Sequence, residues 1–212
     1  MMSENYIPLN LSSYAKKKLG QFLLLLEENW LKEIHYLLSS AWTEDKNIPP
    51  RQAHITSGVM CLTTVAGMST IFYKPDEYGR GKAGIHFKGL LNNHYPWNLD
   101  KPLGISSTDA VDQLYNEIRN PLAHSLGIDT SSKKLIYLLP AVYTRQDLNK
   151  RIADKQLPFG SPSIKKNNNE ITFAPASFYW GIRKMIENIL STDKDVDDLF
   201  KRLQTKYGLT VP

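Results

Sequence analysis

The chain has 212 residues, of which 42% are apolar and 22% charged, and its formal net charge is +5. These values are typical of one globular domain with a sizeable core, and they argue against a disordered chain. A single cysteine, Cys61, excludes an internal disulfide framework, and without an N-terminal signal pattern or an apolar run longer than Phe22 to Leu26 we expect a cytoplasmic protein that does not enter membranes.

Apolar residues recur at three- and four-residue intervals in two N-terminal segments. The first, Ser12 to Trp42, is predicted to be one long amphipathic helix with Ser12 or Ser13 as its N-cap. The second is predicted to run from Pro50 to Tyr73, and its small residues suggest close packing against another helix. A polar connection at 43–50 separates the two helices.

Residues 74–106 are richer in glycine and proline, and only a short helical piece is predicted there, around 87–93. Its stretch Gly79-Arg-Gly-Lys-Ala-Gly84 differs in spacing from a Walker phosphate loop, and no apolar strand precedes it. We therefore interpret it as a mobile connector. A third helix is predicted to open at Ser107 and Thr108.

The pattern changes after Gly127. Two short strands are predicted, Leu135–Leu139 and Ile171–Phe173, and they could pair as a long-armed hairpin. A helix is then expected from about Pro175 to Leu190, and a last one at 196–207 with Gly208 as its stop. The whole chain, 1–212, is predicted to be a single, mainly α-helical domain with a basic hairpin or arm inserted at about 133–173.

Positive charge is concentrated in that arm. Between Lys133 and Glu170 there are eight basic and three acidic residues, so this segment carries the whole net charge of +5. A local basic surface can collect polyanions through counterion release, although a solvated loop with the same composition fits equally well. The candidate nucleic-acid contacts are Lys133, Lys134, Arg145, Lys150, Arg151, Lys165 and Lys166.

Residues 119–124, Arg-Asn-Pro-Leu-Ala-His, combine a fixed cation with a proton shuttle. The arginine fork fits a phosphate, and histidine can take and give a proton near neutral pH. On an unbroken helix Arg119 and His124 would lie roughly 140° apart around the axis. Because Pro121 disfavours helical geometry at Asn120, we expect the helix to kink or end there, so that both side chains can reach one cleft.

The stretch Leu114-Tyr-Asn-Glu-Ile-Arg-Asn-Pro-Leu-Ala-His-Ser-Leu-Gly127 resembles the signature of the HEPN superfamily, in which an Arg, a polar residue and a His lie at the end of a helix. The upstream pair Tyr95-Pro96 adds to the likeness, which extends over most of 12–190. The resemblance implies a HEPN-like antiparallel helical bundle with a small β-hairpin between the motif helix and the C-terminal helices. It also implies a homodimer whose paired motifs line a cleft between subunits.

The resemblance further implies a metal-independent endoribonuclease without a cofactor, of the kind that serves in toxin–antitoxin or antiviral defence systems. His124 would act as general acid or base in attack of a ribose 2′-hydroxyl on the adjacent phosphate, and Arg119 would stabilise the developing charge. Asn120 would orient His124 or the phosphate. Asp112 and Tyr115 are candidates to position Arg119, although Tyr115 also fits a core aromatic on the apolar stripe.

Other readings of the same residues stay open. Arg119 could favour a helix C-terminus, Asn120 could be a cap and His124 could lie on a polar surface. The chain would then be a non-catalytic helical RNA-binding or protein-interaction module, or a regulatory subunit of a nucleotidyltransferase partner. The expected partners are therefore RNA, a second copy, and an antitoxin or nucleotidyltransferase. No metal site is expected, because His35, His54, His86 and His94 never fall at ligand spacing with one another or with Cys61.

Overall fold

The computed structural model describes residues 6–39, 54–72, 82–121, 135–138, 145–154 and 161–208. Within these ranges the protein is mainly α-helical with one small sheet that includes a β-hairpin. The predicted fold class, mainly α with a small hairpin before the C-terminal helices, is confirmed.

The helices and strands follow one another in this order: α1 (Ser13–Lys18), α2 (Gly20–Leu26), a first π-helical segment π1 (Glu27–Leu31), α3 (Lys32–Leu38), α4 (His54–Phe72), α5 (Ala83–His94), α6 (Ser107–Gln113), a second π-helical segment π2 (Leu114–Arg119), β1 (Leu135–Leu138), α7 (Arg145–Ala153), β2 (Ile164–Asn167), β3 (Glu170–Phe173), α8 (Pro175–Ile189) and α9 (Asp193–Tyr207).

The first predicted helix is interrupted within its described part. Ser12 is its N-cap, as predicted, and its side chain accepts a hydrogen bond from the Ala15 amide at 3.1 Å. Leu19 then leaves helical geometry (φ −107°, ψ 15°) just before Gly20, a residue that is unfavourable inside helices. The prediction of one continuous helix was therefore wrong here. The predicted end at Trp42 was also wrong, because α3 ends at Leu38 and Ser39 already has extended angles (φ −86°, ψ 140°).

Helix α4 is the most apolar element. Its window Ile55–Phe72 has a mean hydropathy of 1.5, so by length and composition alone it could cross a membrane, and 44% of the window is buried inside the structure. It packs against α3, α5, α8 and α9. The same composition is also typical of the core helix of a soluble protein.

The sheet differs from the predicted hairpin. Strand β1 pairs with β3 in parallel, whereas β2 pairs with β3 antiparallel, giving the order β1-β3-β2. A parallel pair needs a crossover, and the segment between β1 and β2 includes helix α7, which was predicted only as a polar arm. The hairpin turn after β2 uses Asn168 with φ 50°, a conformation that asparagine tolerates.

Helix α8 forms the centre of the core. Phe178, Tyr179 and Trp180 on it are all buried. The Tyr179 hydroxyl donates to the Leu31 carbonyl at 3.0 Å and so satisfies an acceptor at the end of π1. The predicted start of this helix near Pro175 is confirmed, as is the stop of the last helix at Gly208, which has φ 63°.

The N-terminal segment is held by the C-terminal helices. Arg183, only 2% exposed, donates through Nη2 to the Ile7 carbonyl at 2.6 Å and through Nη1 to the Tyr6 hydroxyl at 2.8 Å. Asp197 on α9 accepts a hydrogen bond from the Tyr14 hydroxyl at 2.7 Å and pairs with Lys18 at 3.2 Å. Residues 6–18 are therefore held against α8 and α9.

Candidate functional site

The motif helix begins at a well-formed cap. Ser106 accepts a hydrogen bond from the Asp109 amide at 3.1 Å, and α6 starts at Ser107, as predicted. Ala110, Val111, Leu114 and Ile118 are buried on its inner face. This buried stripe fixes the rotation of the helix that carries Arg119.

The motif helix changes from α-helical to π-helical geometry before Asn120, and it is not broken at that residue. Residues Leu114–Arg119 are π-helical, and the Asn120 amide donates to the Tyr115 carbonyl five residues back. Asn120 keeps helical angles (φ −66°, ψ −49°), and the helix continues through Pro121. The predicted kink or end at Asn120 was therefore wrong. A wider turn accommodates a proline ring that would clash with the carbonyl of an ordinary α-turn.

Arg119 lies on an aromatic support. Its guanidinium carbon is 5.6 Å from the centre of the Tyr115 ring, and its Nη1 donates to Asn120 Oδ1 at 2.9 Å. Among the residues that the structure describes, no carboxylate pairs with Arg119. Its planar fork therefore keeps donors available for an anion.

Tyr115 packs against helix α5. Its ring is 5.4 Å from the Phe87 ring centre, and a carbon placed on Gly84 would lie 2.9 Å from its Cζ and Oη atoms. The ammonium group of Lys88 is 5.4 Å from the ring centre and pairs with Asp112 at 2.7 Å. Tyr115 and Asn120 therefore contact Arg119 directly, whereas Asp112 pairs with Lys88 and not with Arg119.

Arg119 and Tyr115 also form part of the wall of a large cavity. It has a volume of about 630 Å³ and lies between α2, π1, α4, α5, π2 and α9. Its walls are mostly apolar, and they include Phe22, Leu25, Trp30, Ile71, Phe87 and Leu203. Of the lining residues in the described ranges, Arg119 is the one ionised side chain.

Several predicted site residues are not placed by this geometry. His124, Lys133 and Lys134 lie outside the described residues, as do the side chains of Arg145 and Arg151, although both of these belong to α7. Lys150 is exposed on α7. Lys165 is exposed on β2, whereas Lys166 is half-buried and its amide donates to the Leu103 carbonyl at 2.8 Å.

Two other side chains that the sequence analysis singled out, His35 and Cys61, are buried. His35 is buried between Tyr6 and Tyr179, with ring-centre distances of 5.6 and 6.2 Å. Cys61 is buried, and burial raises the pKa of its thiol. In the part of the chain that the structure describes, no three histidine, cysteine, aspartate or glutamate residues are grouped to hold a metal ion.

Sequence reasoning missed Lys88 and the apolar cavity. Lys88 falls inside the helical piece predicted at 87–93, but nothing in its neighbours along the chain indicates a pairing with Asp112 on another helix. The cavity is formed by helices that are distant in sequence, and its apolar residues could not be told from core residues. No local pattern in the sequence indicates either feature.

The sequence matches no protein-family model, and no curated protein or solved structure matches it significantly. The likeness to the HEPN superfamily therefore depends on the motif and its setting alone.

Proposed function

We propose that the chain is a metal-independent endoribonuclease of HEPN type that cleaves RNA through attack of the ribose 2′-hydroxyl on the adjacent phosphate. Arg119 binds the phosphate and stabilises its developing charge, and His124 transfers the proton. We further propose that it acts as a homodimer, in a toxin–antitoxin or antiviral defence system. The product would be a 2′,3′-cyclic phosphate end.

The arrangement of Arg119 carries this proposal. Its guanidinium stacks near the Tyr115 ring and is bonded to Asn120, while the described residues offer it no carboxylate. An arginine that is held in place but not neutralised suits the binding of a phosphate whose charge increases in the transition state. The π-helical segment that precedes it supports the same interpretation, since such segments are frequent at functional sites.

The decisive variant is His124→Ala. Purified wild-type protein is incubated with mixed cellular RNA in EDTA, and the product ends are analysed. We expect 2′,3′-cyclic phosphate ends from the wild type and a loss of at least about 100-fold in rate for the variant, because general acid–base catalysis typically contributes that much.

His94→Ala is the matched control, since His94 is an exposed histidine at the end of α5. It should retain wild-type cleavage. Absence of wild-type cleavage, or equal rates for wild type and His124→Ala, would refute the proposal and favour a non-catalytic binding module.

A further inference from the structure

The cavity beside Arg119 has the composition of a ligand site. A volume of about 630 Å³ falls within the range of small-molecule pockets, which are mainly apolar with a few polar groups that orient the ligand. Most of its wall is contributed by α2, π1 and α4, and Leu25 and Trp30 remain partly exposed there, at 55% and 37%. A wall of this composition can pack against the hydrocarbon part of a ligand.

The hydroxyl groups in this wall are already engaged. Thr63 and Thr64 donate to carbonyls four residues back on α4, each at 2.8 Å. Ser69 and Thr70 donate to carbonyls three residues back, also at 2.8 Å. Because α4 itself takes these donors, the four hydroxyl groups present only acceptor oxygens to a ligand and leave no O–H free to donate to an anionic group.

Arg119 is the exception in this wall. It is a cation at the edge of an apolar space, and in the described part of the chain no acidic side chain neutralises it. Charge complementarity therefore calls for one anionic group attached to an apolar body. We propose that the cavity binds an alkyl carboxylate, with its chain against α2 and α4 and its carboxylate on Arg119.

The test uses sodium decanoate below its micellar concentration, with 1-decanol as the uncharged counterpart, and isothermal titration calorimetry on the full chain. Gly67 lines the cavity, and a Cβ atom there would have nothing within 4 Å, so Gly67→Leu places a side chain in open space. Gly20→Leu is the control, because Gly20 is equally unobstructed but does not line the cavity.

We expect decanoate to bind the wild type and Gly20→Leu alike, and to bind Gly67→Leu at least about tenfold more weakly. Arg119→Met should weaken decanoate binding about tenfold or more while leaving decanol binding unchanged, since only the carboxylate uses the guanidinium. The melting temperature of each variant, compared with that of the wild type, checks that the variant is folded.

Equal decanoate affinity in wild type and Gly67→Leu, or in wild type and Arg119→Met, would overturn the proposal. A dimer that Gly67→Leu dissociates, together with no decanoate binding, would instead assign the cavity to a second copy of the chain. Sedimentation with anionic phospholipid vesicles in the absence of decanoate binding would assign it to a membrane surface.

One consequence rests on the proposed function. Because Arg119 would serve both ligands, decanoate should inhibit RNA cleavage by the wild type, whereas cleavage by Gly67→Leu, whatever its own rate, should not respond to decanoate. If the wild type does not cleave RNA at all, the nuclease proposal fails while the calorimetric result still decides the ligand site.

Discussion

At the scale of single residues, a buried polar cluster joins the loop after α5 to the start of the hairpin. The Tyr95 hydroxyl donates to Asp100 Oδ2 at 2.5 Å, and the Ser163 amide donates to Asp100 Oδ1 at 2.8 Å. Asp100 is fully buried, and burial raises the pKa of its carboxyl above the ordinary value of 3.8, although these hydrogen bonds act in the opposite direction. Buried carboxylates are tolerated only when they are satisfied in this way.

Because of Asp100, the free energy of unfolding should decrease as pH rises. Because its native pKa is raised, the native state binds this proton more tightly than the unfolded state, so its contribution is largest below pH 3.8 and is lost as pH rises through the native pKa. The variant Asp100→Asn has no ionisable group at this position, so its free energy of unfolding lacks this dependence on pH. Denaturant unfolding of both proteins from about pH 3.5 to 7 should show the wild-type-minus-variant difference decreasing with pH. A difference that increases with pH would contradict this assignment.

Gly181 allows Tyr95 to enter the same cluster. A Cβ atom at position 181 would lie 2.0 Å from the Tyr95 hydroxyl oxygen. Gly181→Ala should therefore destabilise the protein by about 1–3 kcal/mol, the usual cost of overpacking. Gly67→Ala, in an equally helical position with open space around it, should instead stabilise by about 0.5–1 kcal/mol. Urea unfolding of the two variants tests the contrast, and effects of the same sign would argue against it.

At the scale of elements, the π2 segment shows what the sequence could and could not predict. The periodic stripe and the Ser-Thr-Asp start located the motif helix correctly, because these features depend on residues close in sequence. Proline 121 was correctly recognised as incompatible with an ordinary α-turn, but a wider turn and a broken helix satisfy that constraint equally well. No local pattern distinguishes between the two. In the structure the wider turn is present, and Tyr115 within it packs against Phe87 on α5.

Tyr115 supports Arg119 through its ring rather than its hydroxyl. Tyr115→Phe keeps the ring that contacts Phe87 and Arg119, so we expect it to keep RNA-cleaving activity within about twofold. Tyr115→Leu removes the aromatic face, and we expect a loss of about tenfold, the scale of a desolvated cation–π contact with the accompanying loss of positioning. Single-turnover cleavage in EDTA measures both, and an equal loss in the two variants would point to the hydroxyl instead.

At the scale of the whole molecule, the described residues of the basic segment belong to more than one element. They are divided between helix α7 and the hairpin β2–β3, with β1 on the far side of β3. Strand β2, Ile-Lys-Lys-Asn, was missed because only Ile164 among its residues is buried, so it shows no apolar alternation. Parallel pairing was missed because it joins segments more than 30 residues apart, and only the crossover through α7 makes it possible.

Lys165 should contribute to RNA binding through its charge. It is exposed on β2, and Lys165→Glu should weaken binding to single-stranded RNA and make the salt dependence of log K shallower by about 0.7 or more, the contribution of one phosphate contact. Lys201→Glu, an equal change at an exposed position on α9, is the control and should have less effect on the slope. Filter binding over a range of salt concentrations measures both slopes, and identical slopes would remove Lys165 from the interface.

The contact between Arg183 and the N-terminal residues has a consequence for biosynthesis. The Ile7 carbonyl accepts a hydrogen bond from Arg183, which is synthesised 176 residues later. Tyr14 and Lys18 likewise contact Asp197, which lies on α9. Helix α1 packs against α9, so until α9 has left the ribosome α1 lacks this partner. The contacts of the N-terminal segment are therefore completed only after α8 and α9 have left the ribosome, and until then the apolar residues of this segment can be bound by chaperones that recognise exposed apolar segments.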